Sequence, residues 1–551
     1  MNPYARIDAL LAGGHNASAH ALAVECVRRA PQDADAVYYR AKCEWALGDL
    51  AATRMSLDAL ASMGAERFAA YHLLKARLHD AANERADAIA SLQRATGLDD
   101  RAPDAWVHLG HLHARAGRMD QAAQAYRAAL SIDPDDRDAL RAMGTLAAET
   151  FDFPTAKACL SGLLEKTPGD EGALNLLSFV HGELGEDQAA LNALHTPTPQ
   201  PPSVSRRARG ALFLPQISAS REHIAAQRGD FARGLEDLDS DSAWIASESE
   251  LFSLAHSNFL LAYHGEDDLP LQRRYGQLIR SRAARFAPQW LEPSERKTGI
   301  GTLTRIRVGF LSSFFRQCTI GSYFEHWITD LDPARFERVV FTTGWQPDAL
   351  GERLRAAADR FEVLRGGAQE VARTVRAADL DILVYPEVGM GAQNCLLSHL
   401  RLARVQCAAW GHPVTTGSAE IDAFVSCAAM EPERADAHYA ERLILFPGIG
   451  TRYARPAPAA ALAREDLQLP AGAHLYVCPQ SLFKIHPDND DLFLDIAARD
   501  PNAVFLFFQA MYPAIGAAFS RRIALAAERR GIDARGRFRF VPRQPEAGFR
   551  A

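Results

Sequence analysis

The sequence predicts a two-part molecule, an all-helical repeat array followed by an α/β region built on parallel sheets. Three observations predict it. Turn glycines and prolines recur about every 34 residues through the first third of the chain, and a proline-rich segment at Thr196–Pro202 interrupts that period. After Arg305, short β-branched and apolar runs begin to alternate with helical stretches.

The clearest repeat runs from Pro103 to Asp136. It carries Trp106, Leu109, Gly110, Gly117, Ala122, Tyr126, Ala129 and Pro134 at the offsets of the tetratricopeptide pattern. Trp106, Leu109 and His113 fall on one face of a first helix, Gly110 admits close approach of the second helix, and Gly117 ends the first. Ala122 and Ala129 keep the seam thin, and Pro134 breaks the chain before the next unit. Gly14, Gly48, Gly117 and Gly185 lie 34, 69 and 68 residues apart, and Pro134 and Pro168 lie 34 apart. Five to six repeats therefore fill residues 1–195, the third of them weak around Asn83. One unit cannot bury its own apolar face, so the units stack, and a stack offers a concave groove to a peptide or protein.

Residues 196–300 read as the proline-rich break and a helical collar, with Ser257–His264 and Leu271–Gly276 forming two helices across a polar break. Residues 301–455 read as a first sheet, with strands at Val308–Ser313, Arg338–Thr343, Leu380–Tyr385, Val405–Trp410 and Asp422–Ser426. Residues 456–551 read as a second sheet, with strands at Leu475–Cys478, Ala503–Phe508 and Phe538–Val541 and a hinge near 455–470. Ligands of parallel sheets bind beyond the carboxyl ends of the strands. Candidate site residues are therefore sought in the loops Pro386–Gly391, Gly411–Gly417 and Pro479–Pro487. Phosphate-binding glycine signatures of the P-loop or dinucleotide kind are absent.

The totals exclude several functions. The 551 residues, 48% apolar and 23% charged, suit a globular chain of several domains. A formal charge of −7 argues against nucleic acid or an anionic membrane as the main partner. The eight cysteines are scattered without a CxxC pair, so reduced thiols are expected and a zinc site is not. The N-terminus opens directly into an amphipathic helix and no apolar run reaches membrane-spanning length, which predicts a cytoplasmic protein.

Six stretches resemble the O-linked N-acetylglucosamine transferase family in its bacterial SPINDLY-like branch. They are Val308–Phe314, Glu387–Met390, Val405–Gly417, His438–Gly448, Val477–Pro487 and Pro542–Gln544. Counting the array and collar, the resemblance covers nearly the whole chain. It implies a GT-B glycosyltransferase: two Rossmann-like lobes with a UDP-sugar donor between them, no cofactor and no required metal, and inverting transfer of N-acetylglucosamine from UDP-N-acetylglucosamine to Ser or Thr of protein acceptors held by the repeat groove. It implies a diphosphate contact for Lys484, a nucleotide contact for Gln480, and a catalytic or substrate-contacting role for His412. Thr415 and Thr416 either bond the sugar or phosphate or cap their own loop. Glu387 either faces the cleft or pairs with an arginine such as Arg401.

Two departures qualify the resemblance. Animal members carry a histidine in the cleft shortly after the first strand, where this chain holds Cys318 and no histidine before His326. The roughly eighty residues after Ala471 are fewer than a whole Rossmann-like lobe needs, so the second lobe is expected to be incomplete. Two further readings stay open: transfer of a hexose, onto asparagine for instance, and a non-catalytic repeat adaptor.

Overall fold

The structure, a computed structural model, describes residues 2–293, 305–344, 348–452, 463–465 and 467–543. Gln544 and most of the expected hinge lie outside these residues. The chain divides into two compact units, Met1–Val180 and His181–Ala551.

Six helix pairs carry the repeats: α1 and α2 (Pro3–Ala12, Asn16–Arg29), α3 and α4 (Ala34–Ala46, Leu50–Ser62), α5 and α6 (Ala69–Ala81, Arg85–Leu98), α7 and α8 (Pro103–Arg115, Met119–Ile132), α9 and α10 (Arg137–Glu149, Phe153–Lys166), and α11 and α12 (Glu171–Leu184, Asp187–His195). The division between the units falls inside α11. Each pair turns through one left-handed residue, at Gly14, Gly48, Asn83, Gly117, Phe151 and Gly185. The residue after it bonds back to the helix end, as Arg118 N–H does to the His113 carbonyl at 2.9 Å and Asp152 N–H to that of Ala147 at 2.8 Å. The glycine period thus marks a backbone conformation, which Asn83 and Phe151 also adopt. A Cβ on Gly110 would stand 2.6 Å from Cδ1 of the Tyr126 ring, while Ala122 and Ala129 are fully buried in the seam.

In the second unit, the collar comprises α13 (Val204–Ala211), α14 (Arg221–Ser240), α15 (Glu248–Phe252), a 3₁₀ turn at Phe259–Tyr263, and α16 (Leu269–Phe286). The first of the two helices expected here is only that five-residue turn. Too short for an α-helix, it is closed by tighter backbone bonds, Leu261 N–H to the Asn258 carbonyl and His264 N–H to the Leu261 carbonyl, both at 3.0 Å.

The first sheet has seven parallel strands in the order β3-β2-β1-β4-β5-β6-β7. They are β1 (Ile306–Ser312), β2 (Phe336–Thr342), β3 (Arg360–Val363), β4 (Ile382–Tyr385), β5 (Val405–Ala409), β6 (Ala423–Cys427) and β7 (Arg442–Phe446). Strand order reverses between β1 and β4, which places a crevice at their carboxyl ends. β3 and β7, the two edge strands, were not among the expected elements. Their polar or half-exposed residues lack the buried apolar run that marks a central strand. A second parallel sheet, β10-β9-β8, holds β8 (His474–Cys478), β9 (Ala503–Phe508) and β10 (Phe538–Val541). Helices Asp488–Arg499 and Pro513–Arg529 cross between its strands. From the latter, buried Arg522 donates to Asp490 Oδ1 at 2.9 Å, to the Ile485 carbonyl at 2.9 Å and to the Ser218 carbonyl at 3.1 Å, tying the second sheet to the collar. All eight cysteines are unpaired. Among the described residues no helix is long and apolar enough to cross a membrane.

Candidate active site

The loops that follow β1, β4, β5 and β8 supply the site. Ser312, the last residue of β1, places its Oγ 3.0 and 2.9 Å from the two carboxyl oxygens of Glu387, two residues past β4. Asn394 Nδ2 adds a weak donor at 3.4 Å. Glu387 is 1% exposed, and burial pushes its carboxyl up to about 8, so it is protonated at neutral pH. Arg401 is not its partner. That guanidinium pairs instead with Glu420 at 3.1 Å and Asp422 at 2.7 Å, because it lies on the far side of the β4–β5 connection.

His412 lies three residues beyond β5 and is 2% exposed. Its ring stacks on Phe259 of the collar turn, with centroids 5.3 Å apart, and a Cβ on Gly389 would come within 2.9 Å of its Cδ2. Burial, reinforced by the Lys484 charge, brings its pKa down to about 4, so the imidazole is neutral. Its Nε2 is buried without a hydrogen-bond partner among the described residues. An orphaned ring nitrogen of this kind costs about 1–3 kcal/mol unless a ligand satisfies it.

Thr415 and Thr416 are turned toward Glu441. Thr415 Oγ1 donates to Glu441 Oε2 at 2.6 Å, Thr416 N–H donates to Oε1 at 2.8 Å, and the Thr416 hydroxyl bonds the same oxygen. Thr415 Oγ1 also accepts from Gly417 N–H and Ala440 N–H. In this state both threonines build the loop around a buried carboxylate.

From the second sheet, Gln480 is exposed in the loop after β8, and Lys484 ends a 3₁₀ turn at Leu482–Lys484. The Lys484 ammonium sits 5.7 Å from the Tyr263 ring centroid and 5.9 Å from that of Phe483. Among the described residues no carboxylate pairs with it. Phe483 in turn packs on Phe259 at 5.8 Å and Tyr263 at 5.1 Å. The collar turn therefore joins the two sheets' loops, bringing His412 and Lys484 within electrostatic reach of each other. Cys318 stands at the N-cap position of the helix Thr319–Thr329 without a side-chain capping bond, and its thiol donates to the Phe314 carbonyl at 3.4 Å.

Sequence reasoning missed Phe259, Tyr263, Phe483, Asn394 and Glu441. Phe483 and Glu441 stand inside stretches that carried the resemblance, whereas the collar aromatics had no signal beyond an apolar helical run.

Comparison with known proteins bears on this geometry. The tetratricopeptide-repeat family matches residues 4–62, and the middle TPR-like domain of cilia and flagella-associated protein 70 matches residues 80–196. No curated protein matches by sequence. Among solved structures, a mutant of the Thermobaculum terrenum O-GlcNAc transferase is similar over 82% of this chain and 76% of its own, with 22% identity and a TM-score of 0.54. The likeness is one of fold. A thermophilic TPR protein of Thermus thermophilus matches 32% of this chain and 97% of its own, at 19% identity and a TM-score of 0.29. The architecture is a helical tetratricopeptide region followed by a parallel α/β region resembling that of a GT-B O-GlcNAc transferase.

Proposed function

We propose that the chain is a protein glycosyltransferase that takes a UDP-sugar, with UDP-N-acetylglucosamine as the leading donor, and transfers the sugar to Ser or Thr of polypeptides selected by the repeat unit. One observation carries this reading. At the carboxyl ends of the two sheets stand Lys484, which pairs with no carboxylate among the described residues, and within reach of its charge His412, whose buried Nε2 has no hydrogen-bond partner among them. A departing nucleoside diphosphate needs such a place, a cation plus a hydrogen-bonding group already fixed in a low-dielectric wall.

In the transfer, the acceptor hydroxyl oxygen bonds the anomeric carbon as the bond from that carbon to the diphosphate oxygen breaks. The hydroxyl proton passes to a base, and the diphosphate leaves with the electron pair. Lys484 offsets the charge that develops on the leaving oxygen, so the reading needs no metal. Unliganded His412 is a weak base at neutral pH. A diphosphate beside it raises its proton affinity and suits it to hydrogen-bond the donor. Gln480 is free to reach the nucleotide, whereas Thr415, Thr416 and Glu387 shape the loops.

The purified protein, incubated with a lysate and either UDP-N-acetylglucosamine or UDP-glucose, is expected to add an N-acetylhexosamine mass to Ser or Thr. A hexose gain on asparagine would replace both donor and acceptor assignments. No gain of either sugar, together with no UDP binding by calorimetry, overturns the reading. Lys484→Ala is expected to weaken UDP binding at least tenfold.

A further inference from the structure

A cavity of about 400 Å³ opens in the repeat unit. It is lined mainly by the first helices of the first three repeats, α1, α3 and α5, with Leu60 of α4 and the Ala65–Phe68 segment completing it. Its walls are aromatic: Tyr4, Tyr38, Tyr39 and Tyr71, with half-exposed Phe68. Tyr4 and Tyr39 stack face to face at 4.8 Å, and Tyr38 meets Tyr39 edge-on at 5.7 Å. These rings are fixed from outside, since the Tyr4 hydroxyl donates to Asp33 and the Tyr39 hydroxyl to Asp8 at 2.8 Å. A rigid apolar wall of this volume is the ordinary lining of a ligand site.

The polar groups left over define what fits. Tyr71 is 3% exposed, yet among the described residues its hydroxyl bonds nothing, and neither does that of Tyr38. Asp35, exposed and also lining the cavity, has no cationic partner there. The cations nearest the rings, Lys42, Lys75 and Arg67, sit over Tyr39, Tyr71 and Phe68 and do not line the cavity. An occupant that brings apolar bulk for the rings, acceptors for two phenolic hydroxyls and a positive charge for Asp35 complements this lining best. An extended polypeptide meets all three demands, with its carbonyls accepting from the tyrosines.

We propose that this cavity is a docking site for a polypeptide segment in which an aliphatic or aromatic residue adjoins Lys or Arg. The site rests on the reading of the repeat unit as a polypeptide-binding surface and is independent of sugar transfer. The test is binding of the full chain, without any donor, to an array of nine-residue Gly/Ser peptides whose two central residues are varied systematically. Pairs joining Lys or Arg to Leu, Phe, Tyr or Trp are expected to be retained, and the same pairs with Glu or Asp are not. Asp35→Lys is expected to reverse that charge preference. Tyr38→Phe, which preserves ring volume, is expected to lower retention severalfold with an unchanged melting temperature. Equal retention of acidic and basic pairs, no retained pair at all, or an Asp35→Lys pattern identical to wild type overturns the proposal, whatever the outcome of the transfer assay.

Discussion

The turns of the repeat unit and the loop that carries His412 use left-handed glycines in opposite ways. At Gly14 and Gly48 a Cβ would meet nothing within 4 Å, so those turns constrain only the backbone. At Gly417 a Cβ would come within 2.6 Å of the Arg273 backbone nitrogen, so the loop that carries His412 closes directly on the backbone of α16. The first arrangement is local, repeated and tolerant of substitution. The second is unique and non-local, and it holds the candidate site. Gly417→Ala is therefore expected to cost more than ~3 kcal/mol, the positive φ plus a backbone clash that no rotamer relieves. Gly48→Ala, at φ 78° with open space around the new Cβ, should cost only ~1–2 kcal/mol. Urea melts of the two variants measure the difference, and equal losses would erase the contrast.

Acid should separate the units as well. His256, His264, His399 and His412, all in the α/β unit, are brought down to about 4 by burial. An unfolded histidine protonates near pH 6.5. Each of the four therefore contributes stability that is present above pH 6.5 and lost as pH falls toward 4. Asp187 and Glu387, raised to about 6 and about 8, act in the reverse sense, since each holds a proton when folded that the unfolded chain has released. Four imidazoles outweigh two carboxyls, giving a net loss on the order of 3 kcal/mol between pH 7 and pH 5. Hydrogen exchange, corrected for intrinsic rates, is expected to show peptides of the α/β unit losing protection before those of the repeat unit. The reverse order would contradict these burial effects.

Legibility in the sequence follows the same contrast. The array was readable because one backbone conformation recurs six times, so four glycines sufficed to set the period even though Asn83 and Phe151 fill two turns. The central strands were readable as buried apolar runs, and the edge strands β3 and β7 were not. In the site, the loops holding His412 and Lys484 could be located from the strand ends that precede them. What could not be read was who partners whom. Glu441 meets the two threonines from 25 residues downstream, and Phe259 reaches His412 from more than 150 residues upstream. Such contacts are products of the tertiary fold and have no local period.

Glu387 sharpens the distinction between a group that builds the site and one that reacts in it. Because its folded pKa is raised to about 8, it stabilises the protein most below pH 4.3, and that contribution is lost as pH rises through 8. Glu387→Gln, which resembles the protonated form in shape, is expected to match wild type near pH 4.5. It should then become progressively the more stable protein toward pH 8, by about 4 kcal/mol. A stability difference independent of pH, in urea melts at pH 5 and pH 8, would mean that the carboxyl is ionised in the folded state.

The smallest expected effect tests the tolerance ascribed to the repeats. Phe151 holds the left-handed position of the fifth turn at φ 62° and is 60% exposed, and its ring meets Phe153 edge-on at 6.1 Å. A bulky side chain there costs ~1–2 kcal/mol, and an exposed aromatic edge contact returns roughly half a kcal/mol. Phe151→Asn, which copies the third turn, is therefore expected to stabilise the protein by about 0.5–1 kcal/mol, and Asn83→Phe to destabilise it by a similar amount. Opposite shifts in the melting temperatures of the two variants would show that the turns obey one backbone rule. Shifts of the same sign would show that each turn depends on its own side-chain contacts, and the repeat unit would then resemble the α/β unit in this respect.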